Sequence, residues 1–241
     1  MVPVTRPMAV SGYRGGMNDK TSGPVRLRID FVSDVVCPWC AIGLASLEQA
    51  LQRVAGEVEA DIHFQPFELN PQLGAEGEDI VEHLSRKYGM PPAQVAAKQE
   101  AIRERGASLG FVFDMDKRQR TWNTFDAHRL LHWAALEGRQ RELKHALLRA
   151  YFTEGRNVSD HATLVDIAAG AGLPADKARE ILAGDACADE VRRDEQYFLQ
   201  AGVHAVPAII LERRHLISGG QPPEVFEQAL RQVAAAKRGA G

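Results

Sequence analysis

Apolar positions follow two periods along this chain, and the changes between them mark its elements. From Val25 to Asp34 the apolar residues Leu27, Ile29, Phe31 and Val32 make a run of strand length. Ala41 to Ala55 switches to helical spacing, with Ile42, Leu44, Ala45, Leu47, Leu51 and Val54 recurring mainly at intervals of three and four, and Gly56 ends it. Glu59 to Leu69 alternates about Ile62, Phe64 and Phe67 and predicts a second strand. A strand–helix–strand unit of this kind predicts parallel strands joined by a right-handed crossover.

A helical region follows, from about Asn70 to Gly202. Helices are predicted over Asp79–Tyr88 and over Pro91–Leu109, the second with proline in the favoured early position and Gly110 as its end. Phe111-Val112-Phe113 reads as a short apolar connector. Thr121–Leu136 carries Trp122, Phe125, Arg129, Trp133 and Leu136 at helical spacing, and Gln140–Glu154 places Leu143, Ala146, Leu147, Ala150 and Tyr151 on one face. Asp160 caps a helix to Ala169, Pro174 opens another, and a last one spans about Ala186–Ala201. The chain then returns to strand over His204–Leu211 and His215–Ser218. The short turn Glu212-Arg213-Arg214 between these makes them antiparallel. After Gly219-Gly220, Pro222-Pro223 opens a final helix containing Val225, Phe226, Ala229, Leu230 and Val233.

Composition narrows the class without naming a function. At 241 residues, the chain suits one large domain or two. Its hydrophobic share of 45% and charged share of 25% are ordinary for a globular protein. A formal charge of −3, with both signs mixed along the chain, directs nothing towards nucleic acid. No run approaches the ~18 apolar residues of a membrane helix. Residues 1–24 hold four glycines, two arginines and no apolar segment fit for a signal peptide. They are expected to be an unordered tail, and the protein is expected to be cytoplasmic, where cysteines stay reduced unless catalytic.

Within this frame one stretch carries chemistry: Val35-Val36-Cys37-Pro38-Trp39-Cys40, where the first strand gives way to the first helix. A helix starting near Cys37 aims its free N–H groups at that sulfur and favours the thiolate, the attacking species in disulfide exchange. Pro38 suits the first turn, because the N–H it lacks would have no partner there, and Trp39 completes the motif. Cys40, one turn on, can close back on Cys37. Other readings compete. Zinc normally needs four ligands, and although His128 and His132 lie one turn apart, Cys187 is the only other cysteine, so no metal is assigned. A structural disulfide across four residues would close a small loop and stabilise little, and chance pairing of two core cysteines is the third alternative. Cys187, sharing a helical face with Val191 and Phe198, reads as a buried apolar thiol.

The element order, with CPWC and a strand opened by Val206-Pro207, resembles a thioredoxin fold carrying a large helical insertion, the layout of the DsbA-like family. Phe67-Glu68-Leu69-Asn70-Pro71, Asn123-Thr124, Ala127-His128-Arg129-Leu130 and Ser218-Gly219-Gly220-Gln221-Pro222-Pro223 resemble its FrnE-type branch of cytoplasmic dithiol oxidoreductases. The resemblance implies a thioredoxin-like domain of residues 25–70 and 203–238, with 71–202 inserted. It implies that Cys37 is the nucleophile and Cys40 the resolving thiol. The Val206–Pro207 bond would be cis and would lie beside them, presenting Val206 to an extended substrate by strand addition. His204 is a candidate modulator of the thiolate, and Asn123 and Arg129 are candidates for the substrate face. Trp122, Phe125 and Trp133 are assigned to the core. Asp30 and Asp34 flank the first strand, and one of them could relay protons to Cys40. The partners implied are disulfide- or thiol-bearing peptides, proteins or glutathione. No cofactor is bound, glutathione is the candidate co-substrate, and a homodimer is admitted. Two alternatives stay open. One is a glutathione-dependent isomerase or transferase of the 2-hydroxychromene-2-carboxylate isomerase or kappa type, which uses serine where Cys37 stands. The other is a binding protein in which CPWC is only structural.

Overall fold

The computed structural model describes residues 23–74 and 76–239, so the expectation for the N-terminal tail falls outside it except at Gly23 and Pro24. The chain begins with β1 (Val25–Ser33), α1 (Pro38–Arg53) and β2 (Val58–Pro66). It continues through β3 (Glu78–Asp79), α2 (Ile80–Tyr88), α3 (Pro92–Ala107) and β4 (Arg120–Thr121). A helical series follows: α4 (Phe125–Leu136), α5 (Gln140–Phe152), α6 (His161–Gly170), α7 (Ala175–Ala183) and α8 (Ala188–Gln200). The chain closes with β5 (Ala208–Leu211), β6 (His215–Ser218) and α9 (Pro223–Gly239).

Four strands form one sheet in the order β2-β1-β5-β6. β1 runs parallel to β2 from Val25–Val58 to Ser33–Pro66, and antiparallel to β5, with Val32 opposite Ala208. Alternation along β1 assigns the two faces of the sheet. Leu27, Ile29 and Phe31 join the main core with residues of α1 and α9, whereas Val32 packs with Phe198, Val203 and Ala208 on the other side. The main core does not stop at the sheet. It continues from Phe31 and Phe64 into Leu130, Leu147, Tyr151 and Phe152 of the helical series. The apolar connector enters it through Phe113, whose ring lies 5.0 Å from that of Phe152.

Three elements depart from the sequence expectation. The helix expected from Thr121 begins only at Phe125, because the Asn123 carboxamide oxygen accepts the Phe125 N–H at 2.8 Å and fixes a non-helical entry. Arg120 and Thr121 pair instead with Asp79 and Glu78. The strand expected from His204 begins at Ala208, since Pro207 has no N–H to give a ladder; the Val206–Pro207 peptide is cis. Cys187 is not on a helical face. It is the residue before α8, half-buried, with φ of 63°.

Gly43, inside α1, is where this helix meets the loop before β5. A Cβ there would lie 3.1 Å from Pro207 Cγ. Gly43→Val should therefore destabilise the protein by about 1–3 kcal/mol through overpacking and change the alkylation rate of Cys37. Gly170→Ala, where a Cβ meets nothing within 4 Å, should be neutral or stabilising. Denaturant unfolding of both variants checks the contrast. Equal stability changes would show that the contact does not constrain the helix.

Candidate active site

Cys37 caps α1 with extended backbone angles and Pro38 takes the first helical position. The helix therefore starts where β1 ends, and its first free amides surround one sulfur. Cys37 is 4% exposed and Cys40 is 0% exposed, whereas Trp39 between them is 45% exposed. The Cys37 thiol donates to the Val206 carbonyl at 3.8 Å. The Pro207 carbonyl in turn accepts the Gly219 N–H at 2.8 Å, and Gly220 closes against the Trp39 backbone so tightly that a Cβ would lie 3.0 Å from its carbonyl oxygen. The Val206 N–H has no partner among the described residues.

The two thiols are pushed in opposite directions. A hydrogen bond from Cys40 holds Cys37 below an ordinary thiol; burial and the Asp34 charge oppose it, while the amides of Cys40 and Trp39 support it. Burial raises Cys40 well above an ordinary thiol, and the bond to Cys37 adds to this, with Lys144 and the Asp34 amide opposing. Cys37 is thus the more easily ionised thiol and Cys40 the more deeply buried one.

Beneath the cysteines lies a buried polar group drawn from several elements. Asp34 is fully buried and accepts the Leu69 N–H at 2.7 Å through Oδ2. Burial would raise its carboxyl, but His128, the Leu69 amide and the Thr124 hydroxyl outweigh that and keep it below the usual carboxylate range. Lys144 of α5, 0% exposed, leaves its Nζ without a hydrogen bond and 5.9 Å from the Phe64 ring centroid. Burial lowers its pKa, while negative charge at Cys40, Asp34 and Cys37 opposes the shift. Lys87 at the end of α2 donates to the Leu69 carbonyl and to Asn70 Oδ1, and its charge faces Asp34 and Cys37.

The remaining residues singled out in the sequence lie apart from the sulfurs or are otherwise engaged. Asn123 donates to Glu68 Oε1 at 3.1 Å and to the Pro71 carbonyl at 3.2 Å while its carboxamide oxygen accepts the Phe125 N–H. Arg129 is buried away from any substrate face. It holds Asp126 at 2.7 Å and the carbonyls of Ala186, Ile181 and Gly184, and so binds the end of α7 to α4. His204 is exposed on its loop. Asp30 is occupied by Arg28 and Gln65 on the other face of the sheet. His132 lies 3.7 Å from Asp194, and among the described residues no three His, Cys, Asp or Glu side chains converge as metal ligands. Lys144 and Lys87 escaped the sequence reading, and Thr124 entered it only within the Asn123-Thr124 segment, without a role. For Lys144 the signal was present, since it stands beside Leu143 and four residues before Leu148 on the buried stripe of α5.

The profile of the DSBA-like thioredoxin domain matches residues 28–231. The chain belongs to the DsbA-like family. Members of this family are thiol–disulfide oxidoreductases, the chemistry for which a paired, opposite-shifted dithiol is built. The chain is 38% identical to SCO1869 of Streptomyces coelicolor, described as a probable DsbA oxidoreductase; 87% of this chain and 90% of that one align with a TM-score of 0.81. It is 27% identical over 205 residues to the uncharacterized protein YwbO of Bacillus subtilis (strain 168), covering 85% of this chain and 96% of that one. The cytosolic disulfide reductase DsbM from Pseudomonas aeruginosa, solved with GSH, shares the fold at 19% identity and a TM-score of 0.59, covering 85% and 98% of the two chains.

This DsbA-like geometry sets the order of reactivity. Alkylation of the reduced protein by iodoacetamide should label Cys37 first, with a rate that rises with pH through a midpoint below the ~8.5 of a free thiol. Cys40 should be labelled slowly at every pH near neutrality. Peptide mapping after partial alkylation measures both, and equal labelling would overturn the assignment.

Proposed function

We propose that the protein exchanges disulfides with a thiol or disulfide substrate through Cys37 as nucleophile and Cys40 as resolving thiol. The observation that carries this reading is the position of the Cys37 sulfur, held between the first amides of α1 and the Val206 carbonyl, with a fully buried Cys40 behind it. In the reducing direction the Cys37 thiolate attacks a substrate disulfide and forms a mixed disulfide, and one substrate sulfur leaves as a thiolate. Cys40 then attacks Cys37, the substrate's second sulfur leaves, and the enzyme holds the Cys37–Cys40 disulfide. The same steps reversed oxidise a substrate dithiol.

Val206 supports an extended substrate in this role, because its N–H is unpaired and strand addition would use it. An exposed rim of Trp39, His204 and Ala205 surrounds the loop and suits a peptide, a protein or glutathione. Residues 25–70 and 203–238 supply the sulfurs and the loop in this reading. The insertion, 71–202, supplies the charges packed beneath them. The FrnE-type resemblance adds a cytoplasmic setting, and no helix among the described residues is long and apolar enough to cross a membrane. The glutathione-dependent isomerase reading is weaker for a chemical reason: there glutathione brings the thiol, and a buried resolving cysteine would have nothing to do.

The cysteine variants test this. Cys40→Ser should accumulate a mixed disulfide with glutathione or substrate, and Cys37→Ser should lose turnover altogether. Cys187→Ser should keep it, since Cys187 stands at the start of α8, apart from the groups that act on either thiol. Mass spectrometry of the trapped species and turnover of a disulfide substrate measure these outcomes. An active Cys37→Ser variant would refute the reading.

A further inference from the structure

The face of the sheet opposite α1 carries a recess that the dithiol does not use. Between α8 and the β5–β6 hairpin lies a cavity of about 510 Å³, a volume in the range of small-molecule sites. Its apolar wall is Tyr197, Phe198, Ile210 and Leu216, of which Tyr197 and Leu216 are exposed. Three arginines stand around it: Arg28 from β1, and Arg213 and Arg214 from the hairpin turn. Arg28 is engaged inside the protein. Asp30 holds its Nε at 3.0 Å and its Nη2 at 2.6 Å, and Gln65 donates to the same carboxylate at 2.7 Å. Arg213 and Arg214 differ. Among the described residues neither side chain makes a hydrogen bond or an ion pair, whereas Arg26, Arg53 and Arg231 elsewhere on the surface each hold a carboxylate. Glu212, the acid beside them in the turn, is already taken, since it accepts the Arg28 N–H at 2.7 Å and Lys237 Nζ at 2.8 Å. The other carboxylate on the wall, Asp194 of α8, lies 3.7 Å from His132 Nδ1.

The hairpin turn is held so that these two arginines stay at the recess. Glu212 and Arg213 have φ of 52° and 55°, a left-handed pair that hairpin turns normally give to Asn or Gly. Other side chains persist there only where surrounding contacts over-determine the backbone. Glu212 supplies those contacts. Its N–H donates to the Arg28 carbonyl at 2.9 Å, its carboxylate binds the Arg28 N–H and Lys237, and the Arg214 N–H closes the turn on the Leu211 carbonyl at 3.0 Å. We propose that the recess is a binding site for a small organic anion. Arg213 and Arg214 take its carboxylate or phosphate group, and the wall of Tyr197 and Leu216 takes its apolar or aromatic body. A guanidinium presents paired donors in a plane that matches either oxyanion, and an exposed tyrosine ring offers a flat apolar face with a polar edge. An uncharged ligand would leave both guanidiniums unmatched, and a cation would be repelled by them. Neither Cys37 nor Cys40 lines the recess, so its occupancy is independent of which thiol resolves.

Three probes of similar shape test this: phenyl phosphate, benzoate and uncharged benzyl alcohol. Each is titrated into isotope-labelled full-length protein, in a buffer free of phosphate and carboxylates, and amide chemical shifts are followed by NMR. Both anions should saturate in the millimolar range or tighter and move the amides that border the recess, in α8 and the β5–β6 hairpin. Benzyl alcohol should bind about tenfold more weakly or worse, and the tighter of the two anions tells phosphate from carboxylate. Arg213→Asn combined with Arg214→Gln keeps a residue suited to the left-handed turn and removes both charges. It should weaken the anions by about tenfold or more, as loss of charge-assisted hydrogen bonds does. Tyr197→Ala should weaken them severalfold. Arg193→Gln, exposed on α8 but off the wall, should change nothing. Cys37 alkylation should be unchanged in every variant. Benzyl alcohol binding as tightly as the anions overturns the proposal, and so do anion shifts confined to another surface or an absence of saturation. An equal loss in Arg193→Gln overturns it too, because general surface charge would then explain the binding. If the double variant disturbs the hairpin, Arg214→Gln alone decides, since it lies outside the left-handed pair.

Discussion

The contact between Cys37 and Val206 is the constraint on which the rest of this site depends. The two residues are 169 positions apart, and only the central place of β1, paired on one side with β2 and on the other with β5, brings them within 3.8 Å. Everything that shapes the surroundings of the Cys37 sulfur then follows from where β1 stops. Its last residues hand the chain to α1 with Cys37 as the cap, so the amides of Trp39 and Cys40 converge on one sulfur. The Val206 carbonyl closes the remaining side. A one-residue slip in the β1–β5 register would move the loop along the sheet and turn its side chains to the opposite face.

Burial does the second part of the work, and it acts differently on each thiol. Cys37 is enclosed but has donors around it, so its charged form is compensated. Cys40 is fully buried with fewer donors, so its neutral form is favoured. The helical series between β2 and β5 makes this difference. Without α4 and α5, Asp34 would lose His128 and Thr124, Cys40 would lose the Lys144 charge, and Phe64 would be uncovered. This helical series is thus part of the candidate site's interior, which agrees with the continuity of the apolar core from Phe31 to Phe152.

Much of this was legible in the sequence, for identifiable reasons. The period change at Cys37, the proline at position 38 and the apolar runs around Ile29 and Ile209 are local signals, and the elements they mark stand within a few residues of expectation. Local reading failed where side chains compete with the backbone or where distance in sequence hides a partner. Asn123 starts α4 late because its carboxamide takes the amide a helix would have used. Arg129 sits on a helical face and looks available, yet four acceptors from Asp126 and from the stretch between Ile181 and Ala186 occupy it. Lys144 stands at the spacing of the buried stripe of α5, but the Phe64 ring it approaches comes from β2, far away in sequence, and no local pattern names that partner.

Trp39 has a consequence of its own. Trp39 sits between the two cysteines in sequence and is nearly half exposed, whereas Trp122 and Trp133 are buried in the core and far less open to solvent. A water-exposed indole emits to the red of a buried one, and a neighbouring disulfide quenches it by accepting an excited electron. The protein therefore carries an intrinsic optical gauge of its own oxidation state, with two enclosed indoles as a steady background against which the third can be read.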